Sequence, residues 1–207
     1  MLEAFATSFA TMFVMIDPIG LAPMFAALTA GMNRRQRMAV AGRGVAVAGL
    51  ILVIFALAGD GFLKVIGVSM PAFRIAGGLM LFLLSVEMLF QKRTERREKE
   101  TGSAVAPDPS VFPLATPLIA GPGALAAIIL LATEHQGGIA DQSVVYLATL
   151  AVLAVCFVTF LATEMIERVL GQTGINVLTR LFGLLLGALA VQFILDGAAE
   201  YWASVFG

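Results

Sequence analysis

Asp17-Pro18-Ile19-Gly20 lies in the middle of a run, Ala4 to Leu28, that is otherwise apolar enough to cross a bilayer. A helix rising about 1.5 Å per residue carries Asp17 about 20 Å along that run, close to the hydrocarbon midplane. The stretch combines a carboxylate, a residue without a backbone donor and a glycine, and a helix is expected to break there. An ionisable group at such depth costs about 3 kcal/mol on insertion scales, so it faces a cavity or a partner and marks a functional site.

Outward from this point the composition sets the class. Of 207 residues, 59% are hydrophobic and 13% charged, and the mean hydropathy is +0.95; these values predict a polytopic membrane protein. The net charge of −1 says little about partners, because in a membrane protein the distribution of positive charge among loops matters more. Nothing in the sequence points to nucleic acid. The lone cysteine, Cys156, lies in an apolar run and is assigned to packing, with no intrachain disulfide. No Lys or Arg precedes the first apolar run, which argues against a cleaved signal peptide.

Six spans are predicted. The first runs from Ala4 to Leu28 and is followed by the basic turn Asn33-Arg34-Arg35-Gln36-Arg37. The second, Met38 to Gly59, carries a small face (Gly42, Gly44, Gly49) suited to close helix contact. A linker with Asp60, Gly61, Lys64 and Gly67 leads to the third, Pro71 to Phe90. Residues 91–110 form a charged loop ending in Pro107-Asp108-Pro109. The fourth span, Val111 to Thr133, is interrupted by Pro113, Pro117 and Ala120-Gly121-Pro122-Gly123; the fifth runs from Ser143 to Thr163 and the sixth from Ile175 to Leu195.

If these spans alternate, eleven Lys and Arg residues belong to the side bearing the loops after spans one, three and five, and two, Lys64 and Arg74, to the other. That asymmetry places the basic loops in the cytoplasm and both termini outside.

Shifting the chain by 104 residues lays Pro18 on Pro122, Asp60 on Glu164, Lys64 on Arg168 and Gly67 on Gly171; after a two-residue gap Arg74 meets Arg180 and Gly77 meets Gly183. The matches, in order, predict a duplicated three-span unit, 1–90 and 111–207. An odd number of spans inverts the second copy, the arrangement that secondary transporters use for alternating access. The expected fold is an all-α membrane protein with six spans in two inverted three-span repeats, spans 1 and 4 broken near the midplane. Each break leaves backbone groups that only protein or a water-filled cavity satisfies. A half-helix starting there aims N–H groups at an anion, and the carbonyls before it suit a cation.

Ile16-Asp17-Pro18-Ile19-Gly20-Leu21-Ala22-Pro23 and Phe112-Pro113-Leu114-Ala115-Thr116-Pro117-Leu118-Ile119-Ala120-Gly121-Pro122-Gly123-Ala124 resemble the signatures of the MarC/SnatA family of six-span bacterial and archaeal inner-membrane proteins. The resemblance extends over essentially the whole chain. It implies a membrane transporter, with neutral amino acids such as alanine and glycine as the associated substrates.

The substrate-site candidates are Asp17, Pro18, Gly20, Thr116, Gly121, Pro122 and Gly123, with Arg43 and Glu87 as candidates for coupling or gating. Each has a plainer reading. Asp17 is a good N-cap for a helix starting at Pro18. The glycines also serve tight helix crossing, and Thr116 and Thr11 have their own backbone to bond. Arg43 snorkels to the surface in its plainer reading, and Glu87 is interfacial. Gln192 and Asn176 read as interhelical glue, and Gly183 with Gly187 as a packing face. Asp60 with Lys64, and Glu164 with Arg168, form i,i+4 pairs near span ends, read as solvated pairs or gate elements. No cofactor is expected beyond a coupling H+ or Na+; the partners are the lipid bilayer and a small amino acid, and the oligomeric state is left open.

An enzyme is the rival class. The single His135 sits in a Gly-rich loop without a Cys/His cluster or nucleophile motif, and metal binding by His135 with Glu134 and Asp141 is the weakest reading. A passive channel is the second rival, separated from a transporter by coupling of flux to an ion gradient.

Overall fold

The computed structural model describes residues 1–90, 108–134 and 139–206, with backbone alone at 60, 134, 139–141, 167 and 172. Most of the predicted charged loop and His135 therefore lie outside the described residues, as do the side chains of Asp60, Glu134 and Asp141. Regular structure among the described residues is entirely helical. The order is α1 (Leu2–Ile16), α2 (Pro18–Leu28), α3 (Arg34–Val65), α4 (Met70–Leu89), an irregular helical stretch Ser110–Ile119, α5 (Pro122–Glu134), α6 (Ile139–Leu161) and α7 (Thr163–Phe206).

Five units are long and apolar enough to cross a membrane: Leu2–Leu28, Arg34–Gly59, Met70–Leu89, Gln142–Leu161 and Thr173–Phe206. Ser110–Ile119 with Pro122–Thr133, bent by 59°, brings the number to six when the bent pair is counted as one span. The chain is an all-α membrane protein.

Local chemistry moved several expected boundaries. The basic turn after the first span is the first turn of α3, because Asn33 and Gln36 form a capping box: Asn33 Oδ1 accepts the Gln36 N–H at 3.0 Å, and the Asn33 N–H donates to Gln36 Oε1 at 2.9 Å. The linker expected around Asp60 to Lys64 is helical too, and α3 ends only at Val65, before Gly67. Gly67 (φ 75°) and Gly171 (φ 59°), the two glycines superposed by the 104-residue shift, both take a positive φ, which glycine adopts without a Cβ penalty. Gly67 separates α3 from α4; Gly171 kinks α7 and sets off its first turns from the sixth span.

The first span is the most enclosed, 67% buried against 28% for the second, third and last. It carries Met12, Met15, Ile16, Leu21 and Phe25 into a core completed by Leu114, Ile119, Ile128 and Phe160. Packing runs across the halves. α1 and α2 lie on α6 and α7, α3 lies on Ser110–Ile119, α5 and α6, and α4 lies along α7. Missing side chains set the approach. A Cβ on Gly44 would stand 2.6 Å from Leu114 Cδ2, and one on Gly183 would stand 2.9 Å from Met88 Cβ, so α7 packs by its Gly183/Gly187 face against Ser85 and Met88 of α4.

Candidate functional site

Asp17 ends one helix and starts the next. Its N–H closes α1 on the Phe13 carbonyl at 2.9 Å, its backbone then turns left-handed (φ 55°, ψ 64°), and its Oδ1 accepts the Gly20 N–H at 3.1 Å, capping α2 with Pro18 in the first turn. It is the one non-glycine residue with positive φ among those described, a conformation in which Asp and Asn are enriched. Asp17, Pro18 and Gly20 are all buried. A Cβ on Gly20 would lie 2.1 Å from Asp17 Oδ2, so residue 20 must be glycine for the carboxylate to reach the helix end.

The second break is built differently. Leu114 N–H donates to the Pro109 carbonyl at 3.2 Å and Ala120 N–H to that of Ala115 at 2.9 Å, both five residues back. Within these turns Phe112 (φ −128°, ψ 126°) and Thr116 (φ −130°, ψ 130°) are extended, because each precedes a proline whose ring disfavours the helical region. Gly121 follows, where a Cβ would stand 2.5 Å from the Pro117 carbonyl oxygen. Ala120 and Gly121 have no side-chain acceptor to cap α5. Thr116, Gly121 and Gly123 are half-buried and Pro122 is exposed.

The two breaks converge. Met15, two residues before Asp17, places its Cε 2.5 Å from the position a Gly123 Cβ would occupy, with Leu84 Cδ2 of α4 at 2.8 Å from the same point. The last turn of α1 therefore lies on the first turn of α5. Glu87 is half-buried one turn beyond Leu84, with one carboxylate oxygen fully buried.

Arg43 belongs to another cluster. It pairs with Asp108, which also accepts from the Ser110 N–H at 3.0 Å and the Ser110 hydroxyl at 2.6 Å. The Ser110 hydrogen bonds, ahead of the Arg43 charge, hold the Asp108 carboxyl below its ordinary value of 3.8. Arg43 thus ties α3 to the entrance of the irregular stretch.

Sequence reasoning missed a cluster that joins the two halves beyond Asp17. Phe25, two turns past Pro18, stacks on Phe160 of α6 (centroids 4.6 Å, 12°). Arg37 lies over the Phe25 ring at 5.9 Å and pairs with Glu164 at 2.5 Å. Glu164 thus reaches Arg37 across the halves instead of Arg168, its expected i,i+4 partner. Gln192 likewise bonds Asp196 within α7 at 2.7 Å instead of bridging helices, and an unforeseen pair, Arg74 with Glu200 at 3.1 Å, joins α4 to α7.

Ser8 was also missed. Ser8, Thr11 and Met15 share one face of α1 by their three- and four-residue spacing, and all three are buried. Buried hydroxyls such as Thr29 and Thr149 donate to carbonyls one turn back in their own helix, and Thr163 donates to the last turn of α6. The Ser8 hydroxyl has no partner among the described residues, a rarity that calls for a water or a solute. The spacing of Ser8 and Thr11 was the available signal. Among the described residues no group of three or more His, Cys, Asp or Glu is placed to hold a metal.

A multi-pass helical protein whose two interrupted spans meet inside it is the class that fold and site define. The chain belongs to the MarC family: the model described as "MarC family integral membrane protein" matches residues 2–202. It is 39% identical over 198 residues to UPF0056 membrane protein MJ1677 of Methanocaldococcus jannaschii, covering 95% of this chain and 96% of the relative. It is 35% identical over 200 residues to UPF0056 membrane protein YhcE of Escherichia coli (91% and 89%) and 34% identical over 190 residues to YvbG of Bacillus subtilis (90% of each). The family thus occurs in archaea and bacteria. No solved structure matches the chain.

Proposed function

We propose that the protein is a secondary transporter of small neutral amino acids of the alanine and glycine class, coupled to H+ or Na+. It works by alternating access between inverted repeats 1–90 and 111–207, in the cell membrane with both termini outside. The observation that carries this reading is the convergence of the two breaks, with Met15 against Gly123. Paired interrupted helices meeting inside the bundle are the hallmark of transporter binding sites. The substrate class follows from the family resemblance together with the chemistry of the breaks.

In this reading the two breaks play unequal roles. The α2 N-terminus is already capped by Asp17, so it is a poor seat for the substrate carboxylate. The α5 N-terminus, with Gly123 and Ala124 N–H groups after Gly121, offers the anion seat. The Pro117 carbonyl folds over Gly121 and suits a cation. Asp17, the acidic side chain at the first break, caps α2 through the Gly20 N–H and in this reading receives the substrate ammonium or the coupling ion. Met15, Leu84 and the absence of a side chain at Gly123 keep the seat small. The Phe25–Phe160 stack and the Arg37–Glu164 pair close one access route.

The test is counterflow in proteoliposomes across amino acids, with imposed proton and sodium gradients. Concentrative uptake of labelled alanine or glycine under one gradient is expected. Equilibration without accumulation indicates a channel, and no flux of any amino acid sinks the assignment.

A further inference from the structure

Between α3 and α6, on the outside of the bundle, lies a crevice of about 480 Å³. Its floor owes its depth to Gly42 and Gly49. A Cβ there would stand 3.7 Å from the Phe157 ring and 3.1 Å from Leu153 Cδ1 of α6, so the helices come close beneath the crevice. Ala46, Val53 and Leu150 are exposed along its mouth. Of the lining residues only Tyr146 and Thr149 carry polar side-chain atoms, and the Thr149 hydroxyl donates to the Val145 carbonyl at 2.8 Å. In a bilayer such an apolar slot opens on lipid tails.

Its length and its neighbour identify the occupant. From Gly42 to Val53 the helix rises about 16 Å, and one leaflet's hydrocarbon is about 15 Å deep. Arg35, Gly42, Ala46, Gly49 and Val53 fall on one stripe of α3 at spacings of seven, four, three and four, so Arg35 stands over the crevice about 10 Å beyond its end. Arg34 and Arg35 are exposed, and neither pairs with a described acidic side chain. A guanidinium stays charged at all physiological pH and matches a phosphate bidentately.

We propose that this crevice holds an acyl chain of an anionic phospholipid from the leaflet bordering the start of α3, with its phosphate on Arg35. The chain would lie between the second and fifth spans, which belong to opposite halves, and would therefore bear on any movement between them. The site depends only on the protein's being embedded in a bilayer, so it stands or falls apart from the transport reading.

The test uses the whole protein in nanodiscs of equal phosphatidylglycerol and phosphatidylcholine, released into native mass spectrometry. One retained phosphatidylglycerol is expected in preference to phosphatidylcholine, about fivefold, as one interfacial arginine supplies. Arg35→Gln should erase the preference, and Ala46→Phe, which fills the crevice from its exposed edge, should remove the adduct. Retention in Ala46→Phe, no preference in the wild type, or a dimer without lipid that Ala46→Phe dissolves would each overturn the proposal. A reporter independent of those folds is Val53→Trp combined with Trp202→Phe. Dibrominated phosphatidylglycerol should quench it beyond the lipid's mole fraction, and quenching that only tracks mole fraction refutes the site.

Discussion

Arg37 and Glu164, 127 positions apart, meet at 2.5 Å across the two halves of the chain, with the Arg37 guanidinium lying over Phe25. The Glu164 side chain is 84% exposed and that of Arg37 22%, so the pair contributes only about 0–1 kcal/mol to folding. Its position matters more: Phe25 and Phe160 stack beneath it, between Asp17 and the end of α2.

Arg37→Glu and Glu164→Arg are therefore each expected to leave the melting temperature nearly unchanged while favouring an opened route, by up to about fivefold for 1 kcal/mol. The check is labelling by a membrane-impermeant maleimide of a cysteine at Leu21, in a Cys156→Ala background. Each single reversal should speed labelling, the double reversal should restore the slow rate, and high salt should speed the wild type. Identical rates in all four proteins would mean that the pair closes nothing.

A methyl at residue 20 has no space, since its carbon would lie 2.1 Å from Asp17 Oδ2. Gly20→Ala must push the carboxylate off the helix end, at a cost of about 1–3 kcal/mol, and transport should fall with it. Gly123→Ala meets only the flexible ends of Met15 and Leu84 and should be far milder, whereas Gly123→Leu should part the two breaks and abolish flux. Thermal unfolding in detergent and proteoliposome flux together check the ranking.

Much of this frame was legible in the sequence, and the reason is local. Asp17-Pro18 and Pro122 break helices by their own covalent chemistry, and Gly67 and Gly171, which the 104-residue shift lays on each other, both take positive φ. Residues whose roles depend on the other half were illegible. Glu164 had a plausible helical neighbour in Arg168, and nothing along the chain said that Arg37 lies closer. The extended conformation of Thr116 follows from Pro117, but the five-residue hydrogen bonds that Leu114 and Ala120 make around it have no signal along the chain. Ser8 escaped notice because a serine in a membrane helix ordinarily bonds to its own backbone.

A buried hydroxyl left without a partner costs about 1–3 kcal/mol. Ser8→Ala is thus expected to raise stability by about 1 kcal/mol, seen as a higher melting temperature, and at the same time to lower flux if Ser8 meets water or solute on the route to the breaks. A destabilised Ser8→Ala would show that the hydroxyl already has a structural partner.

Asp108 supplies a pH prediction outside the spans. Its folded value lies below 3.8, chiefly through Ser110, so its contribution to stability is full above the unfolded value of about 3.9 and is lost as pH falls through the lowered folded value. Ser110→Ala removes the largest cause and should move that loss to higher pH, whereas Arg43→Ala should move it less. Melting curves between pH 6 and about 3 compare the three proteins, and coincident profiles would contradict the assignment.

The sharpest separation of structure from function falls on Asp17. Asparagine caps helices as well as aspartate and also tolerates the left-handed backbone, so Asp17→Asn keeps the bond from the Gly20 N–H and should fold and insert normally. What it removes is the charge. If that charge receives the substrate ammonium or the coupling ion, coupled alanine or glycine flux should vanish. Asp17→Ala loses the cap, about 1 kcal/mol, and strains residue 17 by about 1–2 kcal/mol more, so it should be destabilised by about 2–3 kcal/mol as well as inactive. Flux and thermal stability measured on both variants distinguish the roles. Wild-type flux in Asp17→Asn would reduce Asp17 to a cap and remove the charge from the centre of the mechanism.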